Sequence, residues 1–282
     1  MPALSQPDTN TTPDGDPDHT QDLRLALDIA DAVDALTLRR YQALDLRVDT
    51  KPDTTPVSDA DLAAEALIRE RLAAERPGDA VLGEEQGDTG SGARRWIVDP
   101  IDGTKNFIRG VPVWATLIAL EIDGDIAVGV VSAPALGRRW WASRGAGAFV
   151  RSVHGTGDDG ASSGVRRLQV TDVRTVDDAS FGYSALEGWE DRFAGFLDLA
   201  LSAWRNRGFG DFWSHCMVAE GAVDFSAEPE VSLWDIAPLK VIVEEAGGMF
   251  SDLEGNPSPD GGSIVCSNGV LHAEVLRRLA AR

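Results

Sequence analysis

The stretch Trp96-Ile97-Val98-Asp99-Pro100-Ile101-Asp102-Gly103-Thr104-Lys105-Asn106-Phe107 constrains this chain most. Its leading apolar residues read as the end of a buried strand that runs straight into a polar turn. Asp99 and Asp102 flank the turn, and Pro100 fixes the backbone between them. Gly103 permits a positive φ or a close backbone approach, and Thr104 is a good N-cap for the helical turn that follows. Carboxylates at a strand end, followed by free amide donors, can hold a hard cation and a phosphate side by side. The alternative is a surface turn whose aspartates only cap. The other carboxylates of the chain decide between the two.

The 282 residues suffice for one large domain or two smaller ones. A formal net charge of −20 argues against a nucleic-acid partner, which needs a basic face. Two cysteines, Cys216 and Cys266, provide no disulfide framework and no zinc cluster, and their apolar surroundings mark them as core. No apolar run is long enough to span a bilayer, and the start lacks a signal-peptide pattern. These features predict a cytoplasmic enzyme or binding protein without a membrane partner.

Along the chain, residues 1–20 form an acidic tail rich in Pro, Asp and Thr, expected to be disordered. A helical stripe of Leu25, Ile29, Ala32 and Leu36 follows. Ser58 with Asp61 makes a capping-box-like start for a second helix. Residues 80–83 read as a short strand delivering Glu84 and Glu85, and residues 113–150 as an antiparallel run whose first turn is Asp123-Gly124-Asp125. The Gly/Ser/Asp-rich segment 151–164 is expected to be mobile and divides the chain into halves, 21–160 and 161–282. A helix over 188–205 should bury Phe193, Phe196, Leu197, Ala200, Leu201 and Trp204. Ser232-Leu233-Trp234-Asp235 opens a further helix that Gly247-Gly248 stops. The order helix pair, antiparallel meander, alternating strands and helices predicts a layered α/β protein.

Four separated segments therefore end a strand or open a helix with carboxylate: Glu84, Asp99 with Asp102, Asp211, and Asp235. Magnesium wants oxygen ligands shared between carboxylates, phosphate and water. Two such ions can activate an attacking water and stabilise a leaving oxygen. The four histidines have no metal-ligand spacing, and the chain has no P-loop, nucleophile elbow or dinucleotide fingerprint.

Gly83-Glu84-Glu85, Asp99-Pro100-Ile101-Asp102-Gly103-Thr104 and Trp234-Asp235-Ile236-Ala237 resemble the three signature motifs of the inositol monophosphatase family, in order and in rough spacing. The similarity runs from about residue 21 to the C-terminus. It implies a five-layered αβαβα sandwich of the inositol monophosphatase and fructose-1,6-bisphosphatase type. It also implies magnesium-dependent phosphomonoester hydrolysis with two to three ions per site, lithium sensitivity and a homodimer. Carried over by position, Glu84, Asp99 and the Ile101 carbonyl hold one metal; Asp99, Asp102 and Asp235 hold a second; Glu84 helps hold a weaker third. Gly103 and Thr104 offer amides to the phosphate. Thr104 and Asp61 orient or deprotonate the water, unless Asp61 only caps its helix. Lys51 matches a family lysine near the metals, the alternative being plain surface charge.

Within that family the chain looks most like the histidinol-phosphate phosphatases, through residues 102–114, 132–141 and Gly210-Asp211-Phe212. Histidinol phosphate carries an ammonium and a titratable imidazole, whereas inositol is a neutral polyol. Asp211 stands where inositol-specific relatives carry a small neutral residue. Glu228 occupies the family position for the polar end of the substrate, and Glu230 is close by. Carboxylates there suit a cationic leaving alcohol, although Asp211 could instead cap a helix and Glu230 be solvated. Arg205 or Arg207 could reach a substrate across a dimer. The competing readings are a phosphatase of inositol, nucleotide or sugar phosphates, and a non-catalytic metal-binding regulator.

Overall fold

A computed structural model describes residues 19–152 and 164–281. The acidic tail and most of the 151–164 segment, with the expectations placed on them, lie outside the described residues.

The chain opens with α1 (Thr20–Arg40), a ribbon of β1 (Val48–Thr50) and β2 (Pro56–Ser58), and α2 (Asp59–Glu75). Ser58 and Asp61 form the expected capping box. The buried stripe of α1 is Ala26, Ile29, Ala30, Val33 and Thr37, so of the predicted stripe only Ile29 is fully buried. Next come β3 (Ala80–Gly83), β4 (Gly87–Thr89), β5 (Arg94–Asp102), the short α3 (Thr104–Arg109), β6 (Ala115–Ile122), β7 (Asp125–Ala133), β8 (Arg138–Ser143), β9 (Gly147–Ser152) and β10 (Val165–Arg167). Eight of these strands make one sheet in the order β10-β9-β8-β7-β6-β5-β3-β4, antiparallel except where β3 runs parallel to β5. The β6–β7 turn is the one expected: Asp123 and Gly124 both have positive φ, as a tight hairpin requires.

The remaining elements are β11 (Ser180–Tyr183), α4 (Phe193–Ser202), β12 (Arg205–Gly208), α5 (Asp211–Ala219), β13 (Phe225–Glu228), α6 (Leu233–Glu245), β14 (Met249–Ser251), β15 (Ile264–Ser267) and α7 (His272–Leu279). Their five strands form a second sheet ordered β12-β11-β13-β15-β14. Helices α1 and α2 cover the outer face of the first sheet, α5 and α6 fill the space between the sheets, and α4 with α7 cover the second sheet. That is the αβαβα layering. The central apolar layer joins residues of β5–β9 with α5, α6 and the second sheet, and includes both buried cysteines.

The expected buried face of the helix over 188–205 differs as well. In α4, Phe196, Leu199 and Ala200 are buried, but Phe193, Leu197 and Leu201 are exposed, as is Trp204 just past its end, the last two at 77% and 71%. The segment is apolar nearly all round, so periodicity cannot choose a face. Gly195 chooses it: a Cβ there would lie 2.0 Å from the Arg278 carbonyl oxygen, so α7 packs directly on that backbone.

Candidate active site

The site begins with an irregularity in β5. Asp99 pairs with Leu117 and Asp102 with Ala115, so β5 advances three residues while β6 advances two. The extra residue is a bulge, which re-aims side chains that strict alternation would send to opposite faces. The Thr116 hydroxyl donates to the Pro100 carbonyl at 2.8 Å, and the Ile101 amide donates to Asp99 Oδ1 at 2.9 Å. Asp235 arrives from the first turn of α6, where its Oδ2 accepts from the Ser232 amide at 2.7 Å. Helix α6 is seated hard on β7: a Cβ on Gly129 would stand 2.6 Å from the Pro238 carbonyl oxygen. As a result Asp99, Asp102 and Asp235 each bring a carboxylate oxygen within 4.8 Å of the others.

Three carboxylates this close, Asp99 buried and the other two half-buried, repel one another. Burial, then the charges of Glu84, Asp102 and Asp235, pushes Asp99 well above the carboxylate range. Burial and the charges of Asp211 and Asp235 do the same to Asp102, against the amide of Phe212, which donates to its Oδ2 at 2.9 Å. Burial carries Asp235 to about 7. An all-oxygen, mutually repelling donor set fits a hard divalent cation.

Glu84 lies outside this trio. Its Oε1 is 2.7 Å from Lys51 Nζ, which also reaches Glu85 Oε1 at 2.8 Å. Lys51 is thus no loose surface charge; desolvation lowers its pKa, but the hydrogen bonds to Glu84 and Glu85 outweigh it and raise it overall.

Asp61 is fully buried and serves two partners. Its Oδ2 takes the Ser58 amide and hydroxyl, as a cap, while Oδ1 lies 3.2 Å from the Thr104 hydroxyl. That hydroxyl is also 3.1 Å from the Ile101 carbonyl, and its single proton serves one acceptor at a time. Gly103 sits at φ +82°, and a Cβ would stand 3.0 Å from the Val113 carbonyl oxygen, so only glycine fits the turn. The amides that open α3 have no partner within the helix itself.

Beside the carboxylate trio opens a cavity of about 350 Å³, lined by Asp102, Lys105, Ser184, Glu187, Asp211, His215, Glu228, Glu230 and Asp235 among others. Asp211 does not cap α5 with its side chain; its Oδ2 accepts from Asn106 Nδ2 at 3.0 Å. Glu228 is buried at the end of β13, and burial pushes it up to about 8 while the Ser184 hydroxyl holds it at 2.6 Å. Glu230 is exposed at the rim. Burial drops His215 to about 3, so it is neutral, with Nδ1 2.8 Å from Ser226 Oγ. Arg205 and Arg207 lie on β12 and do not line the cavity.

Ser184, Lys105, His215 and Glu187 escape the sequence reading. Lys105 stands inside the opening motif and could have been questioned; Ser184 carries no sequence signal, because it meets Asp211 and Glu228 only through the second sheet.

Comparison with known proteins agrees with this arrangement. The sequence pattern of the inositol monophosphatase family matches residues 18–282. The chain is 57% identical over 273 residues to a histidinol-phosphatase of Streptomyces coelicolor, covering 94% of this chain and 99% of the relative. It is 57% identical over 266 residues to a histidinol-phosphatase of Mycobacterium tuberculosis, covering 92% and 98%. The crystal structure of the extragenic suppressor protein suhB from Bartonella henselae superposes with a TM-score of 0.82 at 30% identity, covering 92% of this chain and 98% of that one. With this likeness along nearly its whole length, in sequence and in fold, the chain belongs to the inositol monophosphatase family.

Proposed function

We propose that the chain is a magnesium-dependent phosphomonoesterase that hydrolyses L-histidinol phosphate to L-histidinol and phosphate. The observation that carries this reading is the adjacency of two acidic environments: the carboxylate trio and a cavity holding Asp211 and Glu228, with Asp102 and Asp235 on the boundary. Asp99, Asp102, Asp235, Glu84 and the Ile101 carbonyl would hold the magnesium ions. When bound, they lower the pKa of water and neutralise phosphate charge.

The chain's own groups do the rest. Thr104 and Asp61 orient the attacking water and accept its proton, and the amides of Gly103 and Thr104 receive phosphate oxygens. The water oxygen bonds to phosphorus, the ester P–O bond opposite breaks, and the departing oxygen takes up a proton. Asp211 and Glu228 accept hydrogen bonds from the ammonium and imidazole of the leaving alcohol, each worth roughly 1.5–3 kcal/mol when desolvated. In this division, residues before about 160 supply most of the metal ligands, and those after it supply the choice of substrate.

The test is phosphate release from histidinol phosphate, inositol 1-phosphate and p-nitrophenyl phosphate, with magnesium and with a chelator. Histidinol phosphate should show the highest kcat/KM, and only with the metal. Equal use of inositol phosphate, or release that ignores the chelator, would refute the reading.

The same reading includes a homodimer. The exposed stripe Phe193, Leu197, Leu201 and Trp204 adjoins β12, an edge strand of the second sheet, and a second copy would cover both. Leu201→Glu should yield a monomer in sedimentation velocity; an unaltered dimer would place the interface elsewhere.

A further inference from the structure

Strand order places Ser184 between the two carboxylates of the cavity. Strands β12, β11 and β13 are neighbours, with Tyr183 opposite Gly208 and Gly182 opposite Ser226. Continued past the last paired residues, the second register sets Ser184 beside Glu228, and the first leads the chain through Phe209 and Gly210 to Asp211. One hydroxyl then serves both sides. Ser184 Oγ donates its proton to Glu228 Oε1 at 2.6 Å and accepts the Asp211 amide at 2.7 Å.

The Asp211 end of this bridge is under strain. Asp211 has φ +49°, directly after Gly210 at φ +95°. A non-glycine residue in that region is held there by its surroundings. Two successive amides are claimed: Asp211 by Ser184, and Phe212 by Asp102 Oδ2 at 2.9 Å. The Asp211 carboxylate, so placed, reaches Asn106 Nδ2 at 3.0 Å. Glu228, Ser184 and Asp211 therefore form one hydrogen-bonded line along the cavity wall, and Asn106 extends it behind Asp211.

We infer that Ser184 is a positioning residue for specificity: by tying the Asp211 backbone to the Glu228 carboxyl group, it fixes the spacing of two carboxyl acceptors and so selects a leaving alcohol with two separated cationic or donor groups. This rests on the histidinol phosphate reading above. A hydroxyl has one proton, and with that proton committed to Glu228 the oxygen can only accept on its other side. Alanine removes both bonds at once. Glu228 then keeps its burial without its hydroxyl donor, and Asp211 loses the amide acceptor that holds its left-handed backbone.

The experiment compares wild type, Ser184→Ala, Ser184→Cys, Ser184→Thr, Glu228→Gln and the double variant Ser184→Ala/Glu228→Gln. Each is assayed with saturating magnesium on histidinol phosphate and on p-nitrophenyl phosphate, whose leaving group carries no cation, and each is checked by thermal melting. Ser184→Ala should raise KM for histidinol phosphate about tenfold or more, with kcat changed far less, and the loss should exceed that on p-nitrophenyl phosphate by about the same factor. Thr, which keeps a hydroxyl, should recover most of the loss. Cys, nearly isosteric but a weak hydrogen-bonding partner, asks the same question if Ala disturbs folding. In the Glu228→Gln background the Ser184→Ala effect should shrink to less than about threefold, since contacts in one network are not additive.

Equal losses on both substrates, or a Ser184→Ala effect of full size in the Glu228→Gln background, would overturn the inference. A wild type that shows no preference for histidinol phosphate over inositol 1-phosphate would overturn the functional reading and the inference with it. Titration of L-histidinol into each protein separates the cases, because weaker product binding by Ser184→Ala is expected only if the positioning role holds.

Discussion

The carboxylate trio and the adjoining cavity are both acidic, yet they are built on opposite principles. In the trio, Asp99, Asp102 and Asp235 crowd within 4.8 Å with few donors to satisfy them, and burial raises all three. Such a cluster suits a cation of high charge. In the cavity, Asp211 and Glu228 are joined through Ser184, and each is anchored by a neutral donor. That arrangement keeps two acceptors apart and at moderate charge, which suits organic cations. Geometry, more than acidity, separates the two environments.

The largest predicted effect breaks the trio. Asp102→Asn should lower turnover by at least about a thousandfold, since a group placed at reacting charge is worth several kcal/mol. The metal-free variant should melt no lower than wild type, because one repelling charge has left a buried cluster. Near-normal phosphate release would remove Asp102 from the metal set.

A smaller effect sharpens the contrast from the other side. Asp211→Ala should reduce kcat/KM for histidinol phosphate about 10–100-fold more than for inositol 1-phosphate, the range of one charge-assisted hydrogen bond. Parallel losses on the two substrates would mean that Asp211 supports the site without choosing the substrate.

The smallest effect concerns stability. Burial holds Glu228 at about 8, against an ordinary value of 4.5, so the folded protein keeps a proton there that the unfolded chain gives up. Its contribution to stability is full below pH 4.5 and is lost as pH rises through 8. Glu228→Gln is neutral throughout. Urea unfolding of wild type relative to this variant should therefore weaken by on the order of a few kcal/mol between these limits. Curves that stay parallel across the range would show Glu228 to be ionised in the folded state.

How far each region is legible in the residues follows the same contrast. The members of the trio could be named from two short motifs, because a strand end, a proline, a glycine and a helix cap are local features with local physical causes. A layered α/β order was readable too, since strand and helix periods change sharply along the chain, while the αβαβα layering was implied by the family resemblance. Other features required packing. Nothing in 96–107 announces that β5 gains a residue against β6, yet that bulge aims Asp99 and Asp102 together. The apolar face of α4 was misassigned because every turn of that helix offers apolar residues, and only the close approach of α7 at Gly195 selects which are covered. Glu84 pairs with Lys51, a partner on a loop 33 residues away.

Residue order by itself thus specified local chemistry: which carboxylates end a strand or open a helix, and what kind of ion such oxygen donors suit. Those properties depend on groups a few residues apart. Tertiary structure alone joined Ser184, Asp211 and Glu228, because they lie at the ends of three neighbouring elements of the second sheet and meet only once the sheet has formed. Hydrogen bonds between residues 27 and 44 positions apart leave no local pattern to read.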